Sequence, residues 1–320
     1  MCLKKLRFKK DFYMNIAILS TNPDLYSTKR LLEAAENRGH QATIINHTKC
    51  NLIMEKGRPA IEVGGKAITN IDAIIPRIGA SVSFFGAAVI RQFEMLKVFS
   101  SLSSIALVRS RDKLRSLQLM SKFGLGIPKS AFAKFPKDQD VENLIEQVGG
   151  APVIIKVLQG TQGLGIVLAE TTNSAKSMVE AFSGLRQNIL IQEFIEEARG
   201  EDIRAFVVGN EVVAAMKRIG KSGEFRSNLH RGGVAEPITL SKKEKAVALE
   251  AAKAMGLSIA GVDLLQSSRG MLVIEVNSSP GLQGIERATG VDVAEKIIEF
   301  IEAGMRKRNL TKKKTQKNIL

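Results

Sequence analysis

Gly261-Val262-Asp263-Leu264-Leu265, then Ser268-Arg269-Gly270, then Met271-Leu272-Val273-Ile274-Glu275-Val276-Asn277 read together as a β-hairpin. Two apolar runs flank a short loop of turn-forming residues. With Gly270 supplying the positive φ of a three-residue loop, Ser267 is expected to pair with Met271. Counting back along that register sets Asp263 opposite Glu275. On the second strand Leu272, Ile274 and Val276 then face one way, and Val273, Glu275 and Asn277 the other. Like charges on neighbouring strands repel. A divalent cation is their natural neutraliser, and an all-oxygen set suits Mg²⁺ or Mn²⁺. The exposed polar face of an edge hairpin would give the same alternation.

Upstream, residues 153–157 form an apolar strand interrupted by Lys156, which enters Gly160-Thr161-Gln162-Gly163-Leu164-Gly165. Backbone N–H groups of such a loop can fold over phosphate oxygens while a lysine meets them as a point charge. A tight turn beside a snorkelling surface lysine is the alternative. Residues 166–169 leave the loop, 189–195 form another strand, and 203–217 a hairpin turning at Gly209-Asn210. Residues 241–255 have a strong helical pattern, and a last helix is expected over 291–303.

The chain begins differently. Residues 14–20 read as a buried strand, followed by a helix with Leu31, Leu32 and Ala35 on one face and Gly39 at its end, then a strand over 42–46. That order signals a parallel α/β sheet. A hairpin at Gly64-Gly65, a strand over 72–75, a helix over 86–100 and residues 105–108 complete this first part. After the first strand comes Ser20-Thr21-Asn22-Pro23 rather than Gly-x-Gly-x-x-Gly, and neither a P-loop nor HExxH occurs. His40, His47 and His230 are too scattered to build a zinc site.

With 320 residues, 44% hydrophobic and 25% charged, the composition is that of a soluble globular protein of two or three domains. No run approaches the roughly 18 apolar residues needed to cross a bilayer. Cys2 and Cys50 make no disulfide framework, so a reducing cytoplasm is the expected compartment. The net charge of +15 is concentrated at the ends. Residues 1–13 hold five basic side chains against Asp11, and residues 305–320 hold seven and no acid. Solvated arms explain such tails, as does a weak attraction to RNA or a ribosome. An RNA-binding protein is a poor alternative, because two tyrosines and no tryptophan leave little for base stacking.

Further short stretches complete the pattern: Arg111-Asp-Lys-Leu-Arg-Ser116, Gly149-Gly-Ala-Pro152, Gln192-Glu-Phe-Ile195, Phe225-Arg-Ser-Asn-Leu-His-Arg-Gly-Gly233, Ala260-Gly-Val-Asp263 and Glu275-Val-Asn-Ser-Ser-Pro-Gly281. Taken together, residues 14 to about 302 resemble the ATP-grasp superfamily, and within it the RimK-type glutamate ligases that modify ribosomal protein. The resemblance implies a mixed α/β and α+β chain: an N-terminal parallel α/β domain (14–108) and a two-subdomain ATP-grasp fold (109–197 and 198–304), with the basic extension (1–13) and basic tail (305–320) outside it. It implies that Lys113 and Lys156 neutralise ATP phosphates, that Glu193 and Phe194 meet adenine through their backbone, and that Asp202 holds the ribose. Arg226 and Asn228 would act at the γ-phosphate, with Ser227 between them, and Asp263, Glu275 and Asn277 would hold two Mg²⁺ or Mn²⁺ ions. Arg204, Arg218 and Arg231 are candidates to hold substrate carboxylates, though each could equally form a surface salt bridge. The implied reaction joins L-glutamate to the acidic C-terminal tail of a small-subunit ribosomal protein, in a cytoplasmic homo-oligomer. A ligase for a small molecule or an amino-group carrier protein is the related alternative.

Overall fold

The strand β1 (Asn15–Leu19) is apolar at four of its five positions and buried at those four, as a central parallel strand must be. The helix α1 (Tyr26–Asn37) turns the chain back, so that β2 (Gln41–Ile45) pairs parallel to β1. The computed structural model describes residues 12–134, 138–158, 165–198, 200–221 and 232–317. Next come β3 (Cys50–Ile53), β4 (Ala60–Val63) and β5 (Lys66–Ala67), a small antiparallel sheet of which the first strand was not expected. β6 (Ala73–Pro76) returns beside β1, α2 (Ser83–Met95) covers it, and β7 (Phe99–Ser100) completes the parallel order β2-β1-β6-β7. The helix expected over 86–100 therefore ends at Met95, and its last residues are a strand.

Residues 105–108 fall inside α3 (Ser104–Arg111), which meets α4 (Lys113–Lys122) at a single residue, Asp112. Asp112 caps α4, its Oδ1 accepting from the Arg115 N–H at 2.9 Å. This break presents Arg111 and Lys113 side by side. β8 (Ser130–Ala133), α5 (Asp138–Val148), β9 (Val153–Val157), β10 (Ile166–Ala169), α6 (Thr172–Gly184) and β11 (Ile189–Glu193) build a second lobe, with strand order β10-β9-β11-β8. One face of this sheet packs on α5 and α6 through Val141, Ile145, Val153, Ile155, Val179 and Ile191. The other face carries Lys156 and Gln192 into a cleft.

The third lobe is β12 (Glu201–Val208), β13 (Glu211–Ile219), β14 (Val234–Pro237), α7 (Lys242–Met255), β15 (Ile259–Ser267) and β16 (Gly270–Asn277), all antiparallel in the order β14-β13-β12-β15-β16. Ser241 and Glu244 close a capping box at the start of α7, and Gly256 ends it at φ 73°. α8 (Leu282–Thr289) and α9 (Val293–Lys317) return to the first lobe, where Ile16, Ile18 and Leu31 share a core with Ile297, Ile298 and Ile301. Arg38 and His40 bind Glu302 there, at 2.7 and 3.0 Å. α9 runs past the expected end at 303 and takes in much of the basic tail. Met305 is buried, Arg306 lies 5.1 Å from the Phe12 ring, and Arg308 bonds the Lys97 carbonyl. Among the described residues no helix is long and apolar enough to cross a membrane.

Candidate active site

The β15–β16 hairpin does place Asp263 opposite Glu275, but by a different route from the one expected. Its turn is two residues, Ser268 and Arg269, so that Ser267 pairs with Gly270. A β-bulge at Ile274 then restores the offset, since Leu264 faces Val273 while Asp263 faces Glu275. The bulge also corrects the expected faces. Val273 lies with Val262, Leu264 and Val276 in the core under α7, whereas Leu272 joins Ile195 and Ala198 on the opposite side.

Charged side chains run across four neighbouring strands on the cleft face, ending in the like-charged Asp263 and Glu275. Arg204 clamps Asp263 through Nε (2.7 Å) and Nη2 (2.6 Å), and Arg218 reaches Asp263 at 2.9 Å. Arg218 also clamps Asp202, at 2.5 and 2.6 Å. Arg204 and Arg218 thus bind the protein's own carboxylates: the salt bridges expected of them as an alternative are formed, but in the interior rather than at the surface. Burial opposes ionisation of Asp263, yet the two guanidinium groups outweigh it and hold the carboxyl below its usual range. Glu275, on the edge strand, stands open to the cleft. Enclosure by the surrounding protein, and then the facing charge of Asp263, push its carboxyl upward.

Those residues fit a hard divalent cation. Among the described residues Glu275 has no salt-bridge partner; the buried Nδ2 of Asn277 also makes no hydrogen bond, but it is a donor, so that residue would offer a cation its amide oxygen. Asp263 accepts three hydrogen bonds out of about four positions a carboxylate offers. No three His, Cys, Asp or Glu side chains cluster among the described residues, so the donor set rests on two carboxylates and one amide.

Opposite this edge stand the cations. Lys156 donates to Gln192 Oε1 at 2.5 Å, and Gln192 Nε2 donates to Ser130 Oγ at 2.7 Å. Burial lowers Lys156 to about 8, with Glu275 acting to raise it and Lys113 to lower it further. Lys113 donates to the Leu158 carbonyl at 3.0 Å and is also lowered by burial, against the pull of Glu275. Lys113, Lys156 and Glu275 therefore share one field. Beyond them Arg111 donates to the Ile78 carbonyl at 2.6 Å, and Arg77 to the Pro280 carbonyl at 2.6 Å. Sequence reasoning assigned no role to Arg77 or Arg111. The available signal was a cation directly after β6, at the carboxyl end of a parallel strand, where open α/β sheets place ligands.

Glu193 ends β11 with its carboxylate turned away, accepting from Lys129 N–H (2.9 Å) and Arg269 Nη2 (2.6 Å). Phe194 follows it, half-buried, in the link to β12. The structure thus brings together Lys113, Lys156, Asp202, Asp263, Glu275 and Asn277 around the cleft, with Glu193 and Phe194 at the crossing between lobes. Arg226, Ser227, Asn228, Arg231 and loop residues 160–164 lie outside the described residues. Gly165 ends that loop at φ 74°, and a Cβ there would come 3.0 Å from Val157 Cβ, so the exit demands glycine.

Residues 14–107 match the family described as RimK PreATP-grasp domain, and residues 110–301 the RimK-like ATP-grasp domain. A Picosynechococcus sp. protein named "Probable alpha-L-glutamate ligase" is 60% identical over 289 residues, covering 90% of this chain and 95% of that one. A protein of the same name from Vibrio cholerae is 55% identical over 303 residues, covering 95% and 98%. Among solved structures, the ATP-grasp ligase PsnB complexed with minimal precursor superposes with TM-score 0.73 at 20% identity, covering 92% and 99%. The RimK domain protein ATP-grasp from Sphaerobacter thermophilus gives 0.68 at 21%, covering 89% and 98%.

Proposed function

The chain belongs to the RimK-like ATP-grasp family, and from that membership we propose that it extends the carboxyl terminus of a protein or peptide with L-glutamate. It is an ATP-dependent carbon–nitrogen ligase. A carboxylate is inert toward amines because its leaving group would be oxide. Transfer of the γ-phosphoryl group gives an acylphosphate and ADP. The glutamate amine then attacks the acyl carbon, loses a proton, and phosphate leaves.

Both steps bring anions together, so the chain's task is mostly charge neutralisation and positioning. Lys113 and Lys156 are assigned to the phosphate oxygens, and Glu193 and Phe194 to adenine through backbone groups other than the Glu193 N–H, which donates to the Lys129 carbonyl at 2.8 Å. Asp202 has its oxygens engaged by Arg218, so a contact with ribose hydroxyls uses its remaining lone pairs. Arg226 and Asn228, with Ser227 between them, are assigned to the γ-phosphate by the family motif. Asp263, Glu275 and Asn277 would hold Mg²⁺ or Mn²⁺, two ions in this reading. A bound ion screens the transferring phosphoryl group and fixes its orientation.

The observation that carries this reading is the facing of Lys156 and Lys113, both lowered by burial, toward the Glu275–Asp263 pair. Such a site gains most from a polyanion bound together with a cation. The proposed acceptor is the acidic tail of a small-subunit ribosomal protein, and the proposed compartment is the cytoplasm. The test is ADP release by the purified protein with Mg²⁺, L-glutamate and peptides ending in glutamate. ADP formation that needs both glutamate and peptide supports the reading. Turnover with L-glutamate and a small carboxylic acid in place of the peptide would favour the small-molecule alternative, and none with any acceptor would refute both.

A further inference from the structure

Two guanidinium groups in the cleft lack acidic partners among the described residues. Arg77 follows β6, and among the described residues it bonds only main-chain carbonyls, those of Pro280 (2.6 Å) and Ser279 (3.5 Å). Arg111, at the α3–α4 break, bonds the carbonyl of Ile78, the residue after Arg77, and its buried Nε has no partner. Neither makes an ion pair among the described residues. Arg77 falls to about 10, by burial first and then by the like charge of Arg111. Both remain half-buried rather than sealed. The loop beside them, Ser278 and Ser279, carries two further buried hydroxyls without partners.

Two unpaired, partly desolvated forks in one place call for planar anions. Their position limits which anion. Arg111 feels Glu275, so the pair sits next to the phosphoryl-transfer edge, where the end of β6 meets the α3–α4 break. Resting on the ligase reading above, we infer that Arg77 and Arg111 bind the two carboxylates of the incoming L-glutamate. That substrate brings one amine to react and two carboxylates that do not. Both need compensation, and two forks match two carboxylates. A guanidinium kept for this purpose also discriminates against glutamine, which lacks the second charge.

Arg77→Gln, Arg77→Lys and Arg111→Gln test the assignment by steady-state kinetics and melting. In Arg77→Gln the KM for L-glutamate should rise about ten- to hundredfold, as expected for loss of a charge-assisted contact. The KM for ATP should stay within about twofold, and the preference for glutamate over glutamine should fall at least about tenfold. Arg77→Lys, which keeps a charge but not the fork, should fall between. A folded Arg77→Gln protein with unchanged KM for glutamate and unchanged preference would overturn the inference and leave Arg77 a staple between lobes. A rise confined to the KM for the peptide would overturn it too, assigning the pocket to the acceptor. Wild-type protein without glutamate-dependent turnover would instead defeat the ligase reading on which this rests.

Discussion

Replacing Lys156 by methionine separates a charge kept for a ligand from a charge kept for stability. The side chain stays long and apolar while the ammonium disappears. A fall from 10.5 to about 8 means that the folded protein disfavours the charged form by roughly 3 kcal/mol. Removing the ammonium also removes the donor to Gln192 Oε1, which costs about 1–3 kcal/mol. The two nearly cancel, so at pH 7 the melting temperature should hold or rise slightly. ATP affinity should nevertheless fall about ten- to hundredfold, the usual cost of losing a charge-assisted contact of 1.5–3 kcal/mol. The sign with pH follows from a lysine whose folded pKa is depressed. Its cost is present in full below about pH 8 and fades as pH rises toward 10.5, because the folded protein sheds the proton first. Wild type should therefore gain on the variant in stability between pH 8 and 10.5. Titration calorimetry with ATP and melting curves at pH 7 and 9.5 read both quantities. A melting temperature several degrees lower with unchanged ATP affinity would refute the reasoning and make Lys156 a structural residue.

Three other outcomes are expected. Glu275→Gln should fold normally, since the side chain is open to the cleft, and should lose nearly all turnover at ordinary Mg²⁺ concentration; full activity there would remove the residue from the metal set. Glu302→Gln should cost about 1.5–3 kcal/mol. Burial raises the Glu302 carboxyl, but hydrogen bonds from Arg38 and His40 hold it below the usual range on balance. That stability is present above the unfolded value and lost as pH falls through the lowered one, so an acid melting series should lose its steepness in the variant. A chain ending at Thr311 should melt with the full-length protein. One ending at residue 304 loses the buried Met305 and the Arg306 and Arg308 contacts, and should be less stable by roughly 2–4 kcal/mol.

The hairpin shows how far sequence could be read here. Alternation and turn chemistry placed Asp263 across from Glu275, but two errors cancelled: the turn is one residue shorter than expected, and a bulge adds one back. A bulge leaves no mark in an apolar run such as Leu272-Val273-Ile274, where any register buries something. The ends of α2 and α9 were misjudged for a related reason. Val98 and Phe99 suit either a helix or a strand, and the basic residues after Met305 look unsupported until Phe12 and Lys97 are seen beneath them. Arg77 was invisible because its meaning lies in the Pro280 carbonyl, 203 positions away. Lys156 was easier, as a charge inside an apolar strand contradicts its own surroundings.

The seam between α1 and α9 has a consequence for how the protein is made. His40 meets Glu302 across 262 positions, and the inner face of β1 is completed by Ile297, Ile298 and Ile301. At about 5–20 residues per second, a nascent chain waits roughly 15–50 s between exposing its first strand and receiving the helix that covers it. Meanwhile the middle lobe, whose inner core draws on residues 131–191 among the described residues, can close by itself. Synthesis therefore proceeds with a finished island between two unfinished ends. The apolar edge left open during that interval, Ile16 and Ile18 with Leu31, is the surface a chaperone would have most reason to hold.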